Sequence, residues 1–174
     1  NAVRTLVYTG TLSLADPLEG LYQALRAYCQ AQGALRLVFA GRPAQEVVDS
    51  LKALSVEIPL ELEFKGYLAH SESVALLQSA DTLLLMIPAL AHKGHLPGKL
   101  FEYLGSGRPV WGFGPTEGDA NRILQSCHAG ELFEDPQAAA LALAQWPSEG
   151  AGAEARGHYT RLGLAQELSA YLDK

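Results

Sequence analysis

Apolar and polar positions along the chain follow two periods in turn. Residues 3–10 (VRTLVYTG) form an apolar, β-branched run ending in Gly10, the pattern of a buried strand. From Asp16 to Gln30 the apolar residues fall at Leu18, Leu21, Tyr22, Leu25 and Cys29, which is helical spacing, with Asp16 and Pro17 as cap and first turn. The same alternation continues. LRLVFAG (35–41) reads as a strand, Pro43 to Leu54 as a helix and LELEFKG (60–66) as a third strand. A helix is predicted from Ser71 to Ser79, followed by TLLLMIP (82–88), an apolar run of central-strand type. Next come a helix from about Pro97 to Leu104, a turn at Gly105 to Gly107 and a strand from Pro109 to Phe113. A helix from Gly118 to Gln125, a short strand within AGELFED (129–135) and a helix from Pro136 to Gln145 complete the pattern.

Repeated strand–helix alternation predicts an α/β fold: a Rossmann-like, doubly wound parallel sheet of about six strands flanked by helices. Residues 1–146 are expected to form this domain. Residues 147–174 are read as a Gly/Ala-rich connector and a closing amphipathic helix with Leu164, Leu168, Tyr171 and Leu172 on one side.

Composition narrows the function. The chain has 174 residues, 48% of them apolar, enough for one sizeable core. A net charge of −6 and the absence of any basic stretch argue against a nucleic-acid or anionic-membrane surface. The longest apolar run, Thr82 to Ala91, falls short of the ~18 residues a membrane span requires and contains Pro88. Cys29 and Cys127 fit no metal or CxxC spacing and read as free thiols in a reducing compartment. The chain begins at Asn1 and enters a strand almost at once, which suggests a piece of a longer protein.

In open α/β sheets ligands bind beyond the carboxyl ends of the strands. Here those ends are Thr9 to Thr11, Ala40 to Arg42, Gly66 to Leu68, Pro88 to Lys93, and Phe113 to Gly114. Glycines at these exits let backbone N–H groups approach a ligand closely. No GxGxxG, GxxxxGK[ST] or GxSxG is present, so dinucleotide, P-loop and hydrolase readings are weak. The richest segment is HLPGKLFEYLGSGRPVWGFGP (95–115). Lys99 and Glu102 stand at i,i+3 just where a loop hands over to a helix. They are either an exposed ion pair worth a few tenths of a kcal/mol or two groups turned to one ligand.

Taken together, YTGTL, LVFAG, FKGYLAHSESVALLQSADTLLLMIP, GKLFEYLGSGRPVWGF and AGELFEDPQAAALAL resemble the C-terminal, donor-binding domain of GT-B fold, group 1 (retaining) glycosyltransferases. The resemblance runs along nearly the whole chain, and RLGLAQELSAYL resembles the family's closing helix. It implies a nucleotide diphosphate sugar as donor substrate, no metal cofactor, and transfer of the sugar to an acceptor hydroxyl in bacterial polysaccharide or glycoconjugate synthesis. It also implies an N-terminal acceptor-binding half, which would carry any catalytic residue and any peripheral membrane contact. The implied location is the cytoplasm, including the inner face of the membrane.

By the same resemblance, Glu102 would accept hydrogen bonds from the ribose hydroxyls, an arrangement suited to an ionised acceptor. Pro97, Gly98 and Lys99 would present a helix N-terminus and a cation to the diphosphate. Gly10 and Thr11 would sit under the phosphates, Tyr67 and Leu68 beside the base, and Arg42 and Lys93 within reach of base, ribose or phosphate.

The sequence departs from the family pattern in two places. Thr11 stands where the family often has Arg, and the following LSLADP contains no cation. Gly94 occupies the position, eight residues before Glu102, of the family's first glutamate. A degenerate or regulatory Rossmann-like domain, half of a sugar-nucleotide epimerase and a purely protein-binding domain are the competing readings. A receiver-like domain would need a carboxylate at the end of the first strand, and VYTGT has none. His92 and His95 form an HxxH, but Gly94 and Pro97 disfavour the helix that a metal site would need.

Overall fold

The computed structural model describes residues 3–88, 90, 91, 94–147, 150 and 157. Among the described residues six strands and six helices alternate: β1 (Arg4–Gly10), α1 (Leu18–Gln32), β2 (Leu35–Gly41), α2 (Gln45–Glu57), β3 (Leu60–Gly66), α3 (His70–Ser79), β4 (Thr82–Met86), α4 (Gly98–Ser106), β5 (Val110–Phe113), α5 (Asp119–Ser126), β6 (Gly130–Phe133) and α6 (Pro136–Ala144). The strands form one sheet in the order β3-β2-β1-β4-β5-β6, and every pairing is parallel. This is the doubly wound, Rossmann-like sheet expected, with the strand order reversing between β1 and β4. Among the described residues no helix is long and apolar enough to cross a membrane. The expected connector and closing helix lie almost wholly outside the described residues.

Burial explains the strand patterns. Each residue of β4 is buried, because helices cover both faces of a central parallel strand. The edge strand β3 instead alternates and carries Glu61, Glu63 and Lys65. Glu63 bonds both Lys65 and Arg36 of the neighbouring strand, so the edge presents paired charge rather than bare backbone. Leu6, Leu37, Leu84, Trp111 and Phe113 pack into one apolar cluster with residues of α1, α2 and α6. Val7, Leu83, Leu85 and Val110 pack into a second, with residues of α3, α4 and α5. Cys29 and Cys127 are free and buried.

Two local expectations are corrected. Asp16 does not cap α1: its carboxylate accepts from the Ser13 N–H (2.7 Å) and hydroxyl (3.1 Å), bracing the loop, and Pro17 stands at the cap position. The helix α4 also does not end at Leu104. It runs on through Gly105 to Ser106, and only Gly107 takes the left-handed conformation (φ 74°) that ends it. The Ser106 hydroxyl closes this end by donating to the Tyr103 carbonyl (2.7 Å) and accepting from the Arg108 N–H (3.2 Å).

Candidate functional site

The ends of β1 and β2, the loop after β3 and the start of α4 converge at the carboxyl edge of the sheet. Between them lies a cavity of about 340 Å³. The glycines at the strand ends make the convergence possible. Gly41 has φ 128°, and a Cβ there would lie 2.2 Å from the Gly10 carbonyl oxygen. Gly10 itself has φ 105°, and a Cβ on it would meet the Lys99 ammonium at 3.2 Å. Both turns therefore require a residue without a side chain.

The helix α4 is fixed against β1 by Tyr103. Its buried hydroxyl accepts the Thr9 N–H at 3.0 Å, so the strand's terminal amide and the helix hold each other in place. Pro97 is the N-cap of α4 with no side-chain cap. A proline cap and a glycine at the first helical position leave the first turn open to an anion.

Lys99 reaches from α4 past Gly10 to the other face of the sheet. Its Nζ donates to the Tyr8 hydroxyl at 2.6 Å and lies 4.0 Å from the ring centroid. Burial pushes the Lys99 ammonium down to about 8, against the opposing pull of Asp16 and Glu102. Burial likewise raises the Tyr103 phenol to about 12. Tyr8 is held well above the usual tyrosine range, by burial first and then by Tyr103 and Asp16.

Of the sequence-predicted residues, Gly10, Tyr67, Leu68, Gly98, Lys99 and Glu102 line this one cavity. Thr11 sits just outside it, exposed, with its carbonyl accepting the Tyr8 hydroxyl at 2.7 Å. Arg42 is also exposed and outside the lining; its backbone N–H bonds the Gly10 carbonyl at 3.3 Å. Lys93 lies outside the described residues, as does His92 of the HxxH. Thr9, Ala40 and Gly41, marked from sequence only as strand ends, complete the lining together with Ser73, which was not singled out. Neither were Tyr8 and Tyr103. An aromatic in an apolar strand reads as core, as Tyr8 is, and only its distance from Lys99 shows that it is also a hydrogen-bond acceptor. Among the described residues Lys99 is the one cation of this lining, and Glu102 shares the lining with it.

A larger cavity of about 650 Å³ lies beyond residues 14–20, against Phe113 and Phe133. Its charged residues are Asp16, Glu19 and Glu134, all carboxylates, so size alone is a poor guide: an anionic ligand suits the smaller cavity.

A family model described as glycosyl transferases group 1 matches residues 3–147. The chain belongs to this family. No curated protein matches it in sequence. Among solved structures, AviGT4, a glycosyltransferase involved in avilamycin A biosynthesis, is 23% identical with a TM-score of 0.66; the match covers 98% of this chain and 51% of that one. The C-terminal domain of a group 1 glycosyl transferase from Francisella tularensis is 16% identical (TM-score 0.59), with 97% of this chain and 86% of that one covered. Anabaena HepE, in complex with UDP and glucose, is 18% identical (TM-score 0.69), with 98% and 48% covered. At these identities the likeness is one of fold. This group 1 chain is folded as one half of a GT-B architecture and spans about half the length of AviGT4 and HepE.

Proposed function

We propose that this chain is the donor-binding half of a group 1 glycosyltransferase, taking a nucleotide diphosphate sugar whose sugar passes to an acceptor hydroxyl in polysaccharide or glycoconjugate synthesis. One observation carries the reading: a cation and a carboxylate, Lys99 and Glu102, line one cavity at the start of α4, at the edge where doubly wound sheets bind ligands. Complexes of HepE with UDP-glucose and of S. aureus TarM with UDP support it.

In this reading the open N-terminus of α4 and Lys99 meet the diphosphate, with Gly10 and Thr11 beneath it. Pro97 and Gly98 supply the helix start. Glu102 grips two ribose hydroxyls, Tyr67 and Leu68 flank the base, and Arg42 and Lys93 are placed to reach the nucleotide from the rim. No metal enters the arrangement. The acceptor is brought by an N-terminal half, and residues 147–174 serve as a connector and closing C-terminal helix. Multiple turnover by the 174-residue chain alone would rule out that division of labour.

The test is titration calorimetry with UDP, GDP, dTDP and ADP. One diphosphate should bind in preference to the others. Glu102→Ala should weaken it by about 1.5–3 kcal/mol, or roughly 10- to 100-fold, the range for hydrogen bonds to a charged group. A folded chain that binds none of the four would sink the reading.

A further inference from the structure

Tyr8 has one hydroxyl proton and gives it to the Thr11 carbonyl at 2.7 Å. The oxygen's lone pairs then face Lys99, whose Nζ stands at 2.6 Å and must be the donor in that bond. The Tyr8 ring cannot drift. It is 1% exposed, packs in the apolar cluster under α1 and lies 5.8 Å from Phe39, centroid to centroid. Lysine, by contrast, has a flexible four-carbon stem and no preferred direction of its own. A rigid phenol on one face of the sheet thus holds a flexible cation that arrives from a helix on the other face. Two ammonium protons remain for a ligand.

We propose that Tyr8 is the positioning residue of the diphosphate site: anchored on the Thr11 carbonyl, its hydroxyl holds the Lys99 ammonium at the Gly10 turn, where a nucleoside diphosphate is met. This rests on the donor-site reading above. The device gives one cation a fixed address at a site whose LSLADP loop supplies none. It also stabilises the charged form of a lysine that burial drives toward neutrality. The groups that face this ammonium are Tyr8 from β1, Asp16 from the loop before α1 and Glu102 from α4. Asp16 and Glu102 keep the proton on, and losing the Tyr8 acceptor would let it go at lower pH.

The experiment titrates UDP and the other three nucleoside diphosphates into the 174-residue chain, from about pH 6 to about pH 10. It uses the wild type, Tyr8→Phe, Lys99→Met and the double variant. Phenylalanine keeps the ring and removes only the hydroxyl. Tyr8→Phe should weaken binding of the preferred diphosphate about tenfold at neutral pH, a 1.4 kcal/mol effect. It should also move the alkaline loss of binding to lower pH, and cost nothing further once Lys99 is methionine. Wild-type affinity and an unmoved pH limb in Tyr8→Phe would overturn the inference and leave the donor site standing; so would a loss that adds in full to that of Lys99→Met. A wild-type chain that binds none of the four overturns the donor-site reading and this inference with it. A measurement without substitution is the nuclear Overhauser contact between the Lys99 side chain and the Tyr8 ring. It should persist when UDP is added, and its disappearance would count against the proposal.

Discussion

Gly41→Ala should remove about 4 kcal/mol of folding stability, a large share of what a domain of this size possesses. Two independent costs meet at this residue. Its φ of 128° lies where a side chain is strained, and a Cβ there would come within 2.2 Å of the Gly10 carbonyl oxygen. That oxygen is backbone, not the far end of a side chain, so the clash is relieved only by parting the ends of β1 and β2. The parting would also break the bond from the Arg42 N–H to the Gly10 carbonyl and open the floor of the cavity. Denaturant unfolding followed by far-UV circular dichroism measures the loss. Gly105→Ala is the internal control: it is helical, nothing lies within 4 Å of its Cβ position, and it should gain about 0.5–1 kcal/mol. A Gly41→Ala chain as stable as the wild type would show that the strand ends do not approach as described.

Lys99→Met should act in opposite directions on binding and stability. Binding of a nucleoside diphosphate should weaken by about 3 kcal/mol or more, over a hundredfold, because the one cation of the described lining is gone from a largely buried place. Stability should rise. The ammonium is depressed from 10.5 to about 8, mainly by burial, so at neutral pH the folded chain carries a charge it disfavours. A depression of that size corresponds to at most roughly 3 kcal/mol, and methionine of similar length relieves much of it. The sign with pH follows from proton counts. Between pH 8 and 10.5 the unfolded chain holds the Lys99 proton and the folded chain has lost it. Stability from this group therefore rises with pH across that window, and below pH 8 its penalty is present in full. Urea titrations at several pH values should show the rise in the wild type and a flatter curve in Lys99→Met. A variant that is less stable than the wild type at neutral pH would argue that Lys99 is not desolvated.

Most of the fold was legible from hydrophobic period alone. Continuous apolar runs such as TLLLM and VYTG can be satisfied only by a strand covered on both faces, and that is where β4 and β1 lie. The errors came where local chemistry has two outlets. Asp16 beside Pro17 suits a helix cap, yet Ser13 offers its carboxylate two donors in the loop before the helix. Gly105 and Gly107 look alike in sequence, but only the second carries a positive φ, because the helix ends where Ser106 takes over the closing bonds. At the site, the α4 pair Lys99 and Glu102 was legible because helical spacing places them together. The Lys99–Tyr8 contact was not. It joins residues far apart in the chain and on different faces of the sheet, and nothing in an apolar strand marks one aromatic as a hydrogen-bond acceptor.

The strand order has a consequence for how the chain is made. Of these six strands β1 is the first to leave the ribosome, and it belongs in the middle of the finished sheet. Leu6 is soon beside Leu37 of β2, but its other neighbour, Thr82 of β4, is synthesised much later. For that interval a half-sheet of β1, β2 and β3 exists with the open flank of β1 facing solvent or a chaperone. The cavity at the start of α4 cannot exist yet either, since α4 arrives later still. Translational pausing before β4 would therefore prolong the stage most prone to association between nascent chains, and a pause after α4 would be harmless by comparison.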